Sequence, residues 1–212
     1  MTDRKPQILL FDFGGVLVDL DKQRCIEAFD RLGFDIRPCL GTYRQGGVFS
    51  LLERGAIGVP EFCNEIRRMA GNPDLTDASI AAAWEQYLAG VPAERLEKLL
   101  ELRQSYRVSL LSNTNAIHWE QSLRDFFNYK GLGIGDFFEE VFLSYELGVE
   151  KPAPEIFHIV AERLGAQPED ILFLDDSEVN CEAARNCGLQ AMLAPAGGGW
   201  MQEIVLEKIH CG

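Results

Sequence analysis

No stretch of the 212-residue chain approaches the roughly 18 consecutive apolar residues that mark a membrane-spanning helix. The apolar run after Met1–Pro6 is too short for a signal-peptide core. The six cysteines, Cys25, Cys39, Cys63, Cys181, Cys187 and Cys211, are scattered and form no CxxC pair. That speaks against a disulfide framework or a zinc site and for reduced thiols in a cytoplasmic protein. Positive charge is scarce: 20 basic against 33 acidic residues leave a net charge of −13. A nucleic-acid or anionic-membrane partner is therefore not expected, whereas a small phosphate ligand needs only local donors. The glycine-rich stretch Ala196–Trp200 lacks GxGxxG spacing and does not follow the first strand, so it reads as a loop and not as a dinucleotide site. Internal repeats and low-complexity segments are absent.

The rest of the composition, 47% hydrophobic and 25% charged, fits one substantial domain with a modest insertion. Ile8-Leu9-Leu10-Phe11 is a buried strand that stops at Asp12 and then at glycine. From residue 20 to 90 the chain changes character. Ile26, Phe29 and Leu32 share one helical face, as do Phe62, Ile66 and Met69, and Gly and Pro punctuate the region repeatedly. Several short helices and no strand are predicted there. After Pro92, strand and helix alternate. Val108–Leu111, Val141–Leu143, Ile171–Leu174 and Ala191–Leu193 read as strands. The intervening helices are marked by Leu96, Leu99 and Leu100, by Trp119, Leu123, Phe126 and Phe127, by Ile156, Val160 and Leu164 after Pro154, and by Val179, Ala183 and Ala184 after a capping Ser177. Alternation of this kind with fully apolar strands predicts an α/β fold with a parallel sheet covered on both faces. Residues 1–19 and 91–212 form the expected core. Residues 20–90 form a helical cap over the carboxyl edge of the sheet, where open α/β sheets bind ligands.

Asp12, Ser112, Asn113, Asp175 and Asp176 all directly follow apolar strand runs, and Lys151 follows one by a short loop. Each alone reads equally as a turn or helix cap. Together, on one edge of a parallel sheet, they suit phosphoryl transfer. The three carboxylates offer hard oxygens to Mg²⁺. Ser112 and the backbone after it can hold phosphoryl oxygens, Lys151 neutralises charge, and Asp12 is placed to attack.

The segments Phe11–Val16, Leu111–Thr114, Leu143–Gly148 with Lys151-Pro152, and Leu174–Asp176 with Asn180 and Arg185 resemble, in this order, the four motifs of the haloacid dehalogenase superfamily. The resemblance spans most of the chain. It implies a Rossmann-like three-layer sandwich with a helical cap inserted after the first strand. It also implies Asp12 as nucleophile, Asp176 as a direct metal ligand, and Asp175 beside a metal-bound water. Ser112–His118 and Gly14 are similar to bacterial phosphatases acting on glucose 1-phosphate, and the Leu-Asp-Asp segment also resembles the amino-terminal phosphatase domain of soluble epoxide hydrolases.

Gly14 departs from the family pattern. In most of these phosphatases the residue two after the nucleophile is an Asp that protonates the leaving oxygen and contributes its carbonyl to the metal. Gly14 keeps the carbonyl, so it is retained as a metal ligand, but supplies no acid. General acid–base help is worth about 10²–10⁴-fold in rate. Three readings stay open. The substrate has an easier leaving group, as in an aldose 1-phosphate. Or another residue donates the proton, with Asp19, Asp21 and His118 as candidates. Or the protein binds phosphate esters with little or no turnover. Dehalogenation needs no metal and fits the Asp175-Asp176 pair poorly. The expectation is a Mg²⁺-dependent phosphatase of small phosphorylated metabolites, with Lys151 assisting catalysis and Ser112 and Asn113 binding substrate. Nothing in residues 20–90 reads as a recognisable sugar or base contact; Arg44, Gln45, Glu53, Arg54 and Trp84 are candidates to reach the site, and each reads equally as a surface or packing residue. Oligomeric state is not legible.

Overall fold

The computed structural model describes residues 5–41 and 44–204; Met1–Arg4 and Cys211, which entered the reading above, lie outside the described residues. The other five cysteines are free. Along the chain come β1 (Ile8–Phe11), β2 (Asp19–Leu20), α1 (Lys22–Arg31), α2 (Gly47–Glu53), α3 (Val59–Ala70), α4 (Asp77–Glu85) and β3 (Leu88–Gly90). They are followed by α5 (Ala93–Leu102), β4 (Arg107–Ser112), α6 (Ala116–Gln121), α7 (Ile134–Phe137), β5 (Val141–Leu143) and α8 (Ser144–Leu147). The last elements are α9 (Pro154–Leu164), β6 (Ile171–Asp175), α10 (Glu178–Asn186) and β7 (Gln190–Leu193). No helix among the described residues is long and apolar enough to cross a membrane.

Five strands pair in the order β5-β4-β1-β6-β7, all parallel, in keeping with their largely apolar runs. Alternate residues serve opposite faces. Leu9, Phe11, Val108, Leu110, Leu172 and Leu174 join one buried cluster, which α5 completes with Leu96, Leu99 and Leu102. Ile8, Leu10, Leu111, Ile171 and Phe173 join the other, which α9 covers with Ile156, Phe157 and Val160. The chain leaves β1 for β4 on one side and returns to β6 on the other. The carboxyl end of β1 is thus the topological switch point, where such sheets form a ligand crevice.

The helical block between β2 and β3 is held by an aromatic cluster. The Phe49 ring lies 4.7 Å from Trp84, 5.1 Å from Phe62 and 5.7 Å from Phe29, all edge-on. This cluster is continuous with the first face of the sheet. Of the residues that helical spacing put on apolar faces, Phe29, Phe62 and Ile66 are buried and Ile26 and Leu32 pack against the core, whereas Met69 is 42% exposed, because α3 turns Phe62, Cys63 and Ile66 inward. Contrary to expectation, strand does occur at the margins of this region. β2 and β3 pair antiparallel where the chain leaves and re-enters the core. At two and three residues they are too short to show a period in sequence, and their pairing is a product of tertiary proximity. A second difference follows α6. The helix widens into a π-turn at Ser122–Phe126, which buries Trp119 and Phe127 and leaves Leu123 exposed. Ser177 does sit at the start of α10, but its side chain makes no capping bond; its N–H donates to Asp175 Oδ1 at 2.8 Å.

One contact fixes the end of α2 against the core. Gly55 has φ +65°, and a Cβ there would lie 2.1 Å from the Tyr145 carbonyl oxygen in α8. The adjoining Ser144 hydroxyl lies 2.6 Å from the Glu53 carbonyl and 3.0 Å from the Thr114 N–H. The backbones of helical block and core thus meet with no room for a side chain. Gly55→Ala is expected to cost more than about 1 kcal/mol of stability in urea unfolding, through strain and clash together.

Candidate active site

The register that pairs Phe11 with Leu110 and Leu174 sets Asp12, one residue on, between Leu111 and Asp175. The Asp12 N–H continues the ladder to the Leu174 carbonyl at 2.8 Å. The chain then folds back on itself. Leu17 and Val18 N–H groups both bond the Phe13 carbonyl at 2.9 Å. Two side chains that sequence did not single out hold this loop: the Trp200 indole donates to Val16 O at 3.1 Å, and Arg95 donates to Leu17 O at 2.9 Å. Trp200 also meets the Phe11 ring edge-on at 4.9 Å, so the supposed loop at 196–200 delivers a core anchor.

Lys151 is 1% exposed. Its ammonium donates to Asp12 Oδ1 at 2.6 Å, Asp175 Oδ2 at 2.7 Å and the Leu111 carbonyl at 3.1 Å. Burial disfavours the charge, but the two carboxylates outweigh burial and hold Lys151 protonated. Asn113 clamps the Lys151 main chain from both sides, accepting from its N–H at 2.8 Å and donating to its carbonyl at 2.9 Å. The Asn113 side chain is therefore engaged in positioning the lysine. Asp175 is similarly engaged: Ser177 N–H and the Asn180 amide donate to it, at 2.8 Å and 3.0–3.1 Å.

Asp12, Asp175 and Asp176 bring carboxylate oxygens within 4.8 Å of one another. Three acids share one ammonium. Burial, with the charges of Asp175 and Asp176, pushes the Asp12 carboxyl up to about 7 despite Lys151. Burial and Asp175 push Asp176 up to about 6. This excess of buried negative charge, made of hard oxygens, fits a divalent cation such as Mg²⁺. Gly15 leaves space for the Asp176 carboxylate: with φ +78°, a Cβ there would stand 2.3 Å from Asp176 Oδ2. Ser112 is buried and lines the same cavity, which has a volume of about 80 Å³. The other walls include Gly14, Asn113, Thr114 and Asn180 from the core, and Gln45, Glu53 and Tyr87 from the chain between β2 and β3. Arg54 and Trp84 are not among the lining residues, and Trp84 is buried in the aromatic cluster. Arg44 ion-pairs with Glu150.

The three candidate proton donors are all occupied. Asp19 pairs with Arg95 at 2.8 Å. Asp21 caps α1 by accepting from Arg24 N–H at 2.9 Å. His118 lines the cavity but is 4% exposed, stacked 4.4 Å from the Trp84 ring. Its Nε2–H donates to the Trp84 carbonyl at 3.0 Å, and Nδ1 faces the Asn115 amide at 3.3 Å. Burial pulls the imidazole down to about 4, so it is neutral at physiological pH and has no proton to give a leaving group.

A family model for haloacid dehalogenase-like hydrolases matches residues 6–188. A D-ribitol-5-phosphate phosphatase of Bacteroides thetaiotaomicron is 35% identical over 199 residues, covering 93% of this chain and 96% of that protein. Among solved structures, a HAD family enzyme from Bacteroides thetaiotaomicron in complex with magnesium and inorganic phosphate superposes with a TM-score of 0.88 at 41% identity, covering 93% of this chain and 98% of that one. A predicted HAD-like family hydrolase from Porphyromonas gingivalis gives 0.88 at 30% identity, covering 97% and 98%.

Gly15→Ala is expected to displace the Asp176 carboxylate and weaken Mg²⁺ binding by about tenfold or more, measured by isothermal titration on folded protein. A second expectation concerns acid. The folded-state value of His118 lies below its usual 6.5, so the unfolded chain binds the extra proton between pH 6.5 and 4. Stability from neutral His118 is present above that window and lost as pH falls through it. Unfolding free energies of the protein and its His118→Gln variant, compared across the window, should converge by roughly 3 kcal/mol towards pH 4.

Proposed function

The chain belongs to the haloacid dehalogenase-like hydrolases, and from that premise we propose that it is a Mg²⁺-dependent phosphatase of small phosphorylated sugars or polyols. One observation carries the reading: a buried ammonium holds Asp12 at the mouth of a cavity whose excess carboxylates call for a divalent cation. Asp12 and Asp176, with the Gly14 carbonyl, would hold the cation, which would supply electrostatic stabilisation to the phosphoryl oxygens. Asp175 serves that site from behind by fixing Lys151.

Asp12 attacks phosphorus through its unpaired oxygen, since Oδ1 is held by Lys151. The P–O bond to the alcohol breaks as the aspartyl phosphate forms, and water then attacks phosphorus and returns Asp12 as carboxylate. Lys151 balances charge on the carboxylate and on the phosphoryl group, while Ser112 and the main chain of Asn113 receive the remaining phosphoryl oxygens. The narrow cavity favours small esters. The similarity to a D-ribitol-5-phosphate phosphatase makes pentitol phosphates a first class to test, and Gly14 keeps aldose 1-phosphates beside them, because an anomeric hydroxyl leaves more easily.

A screen of phosphorylated sugars and polyols with and without Mg²⁺ tests the reading. Metal-dependent phosphate release is expected, and Asp12→Asn is expected to lower it by at least about a thousandfold. An ester that raises the melting temperature without turnover, across the whole screen, would replace this reading by that of a phosphate-ester binder.

A further inference from the structure

Gly14 leaves the site without an acid on the loop after β1, and Asp19, Asp21 and His118 are engaged elsewhere. One further carboxyl lines the cavity. Glu53, the last residue of α2, is 7% exposed and faces the same space as Asp12, Gly14 and Lys151. We propose that Glu53 is the general acid–base residue of this site, delivered from the helical block opposite Asp12 in place of the side chain that Gly14 lacks.

This assignment rests on the phosphatase reading and deepens it. Its first support is placement. The Glu53 carbonyl is tied to Ser144 Oγ, and that hydroxyl also binds Thr114 N–H in the loop after β4. Two residues on, Gly55 lies against the Tyr145 carbonyl, so close that no side chain fits. The end of α2 is therefore fixed to the core loop that directly follows Ser112, and not merely hung above it. Its second support is the company it keeps. Burial, with the neighbouring Glu150 charge, pushes the Glu53 carboxyl up to about 8. The Gln45 N–H and Arg44 act in the opposite direction without overcoming this, and Arg44 is itself paired with Glu150. The Tyr87 phenol lines the same cavity, 3.5 Å from the Gln45 amide nitrogen. A carboxyl that carries its proton at neutral pH is the form an acid needs before the first step. Its third support is the rest of that wall. Gln45 Oε1 is buried in the cavity lining without a hydrogen-bond partner, an acceptor suited to a substrate hydroxyl beside the leaving oxygen.

The chemistry balances. As Asp12 bonds to phosphorus, the ester P–O bond breaks and the Glu53 proton passes to the departing alkoxide, giving the alcohol. Glu53, now a carboxylate, takes a proton from water as that water's oxygen bonds to phosphorus. The P–O bond to Asp12 breaks, inorganic phosphate leaves, and both carboxyl groups return to their starting states. Net, ester and water become alcohol and phosphate.

The test compares kcat/KM, which reports the steps up to departure of the alcohol, for an alkyl ester found in the screen and for p-nitrophenyl phosphate, whose leaving group needs no proton. Glu53→Gln keeps size and is neutral, as the native carboxyl is at pH 7. It should lower kcat/KM for the alkyl ester by about 10²–10⁴-fold and for p-nitrophenyl phosphate by far less. Adding Gly14→Asp to that variant should restore much of the alkyl rate, since the nearest side-chain atom to a Cβ at position 14 is Leu20 Cδ1 at 3.8 Å. Equal losses on both esters, or no loss on the alkyl ester, would overturn the assignment. Should Glu53→Gln not fold, the pH profile of the unaltered enzyme decides. The alkyl rate should fall above about pH 8 relative to the p-nitrophenyl rate, and parallel profiles would again overturn it. Absence of phosphate release from every ester by the unaltered Mg²⁺-loaded protein would overturn the phosphatase reading beneath it.

Discussion

The site is organised around one buried ammonium. Lys151 Nζ reaches the ends of three adjacent strands at once: Asp12 after β1, the Leu111 carbonyl in β4, and Asp175 at the end of β6. A buried charge is tolerated only when paired and fully hydrogen-bonded, and removing one partner leaves its counterpart stranded at a cost of several kcal/mol. Lys151 therefore makes the relative positions of three strand ends a condition of stability as well as of chemistry. The Asn113 clamp on its main chain and the Phe173 ring 5.2 Å from its ammonium leave it little freedom. One lysine cannot balance three carboxylates, and the remainder of the negative charge is what makes the cluster a cation site.

The second constraint is the closeness of the helical block to the core. Its aromatic cluster is continuous with one face of the sheet, and Gly55 against Tyr145 brings two backbones together. His118 joins the two regions: it starts near the end of β4, stacks on Trp84 of α4, and donates to the Trp84 carbonyl. A residue with the chemistry of a proton donor is thereby used as packing. The proton-donating role passes, in the reading offered above, to a glutamate whose own charge is suppressed by burial. The substitution is intelligible physically. A proton donor needs only to reach the leaving oxygen, and the helical block forms part of the wall of the same cavity.

The α/β class, the parallel sheet and its strand positions were legible in the chain because strands buried on both faces must be largely apolar, as β1, β4 and β6 are, and the runs ended at polar or turn residues. The polar residues at those ends, Asp12, Ser112, Asn113, Asp175 and Asp176, were legible for the same reason. Membership of the haloacid dehalogenase-like hydrolases followed from their order and is shown by the family match over residues 6–188. Short pairings such as β2 with β3 carry no period, and the π-turn after α6 arises from packing, so neither left a signal.

What each side chain does at the site was decided by tertiary structure alone. Asn113 and Asp175 stand at strand ends as expected, yet the fold commits both to positioning Lys151. Asp19, Asp21 and His118 had the right chemistry; Asp21 is used locally as the cap of α1, while Asp19 and His118 are engaged by Arg95 and the Trp84 carbonyl, partners far away in the chain. Glu53 was one of five residues of the helical block that sequence could not tell apart, and burial and the docking of α2 placed it on the cavity wall. The sequence by itself determined which strands would form and that carboxylates and a lysine would stand at their ends, because local apolar pattern and chain order settle that. Only the fold decided which of those groups are held by neighbours and which are left facing the cavity, because that depends on contacts between residues far apart in the chain.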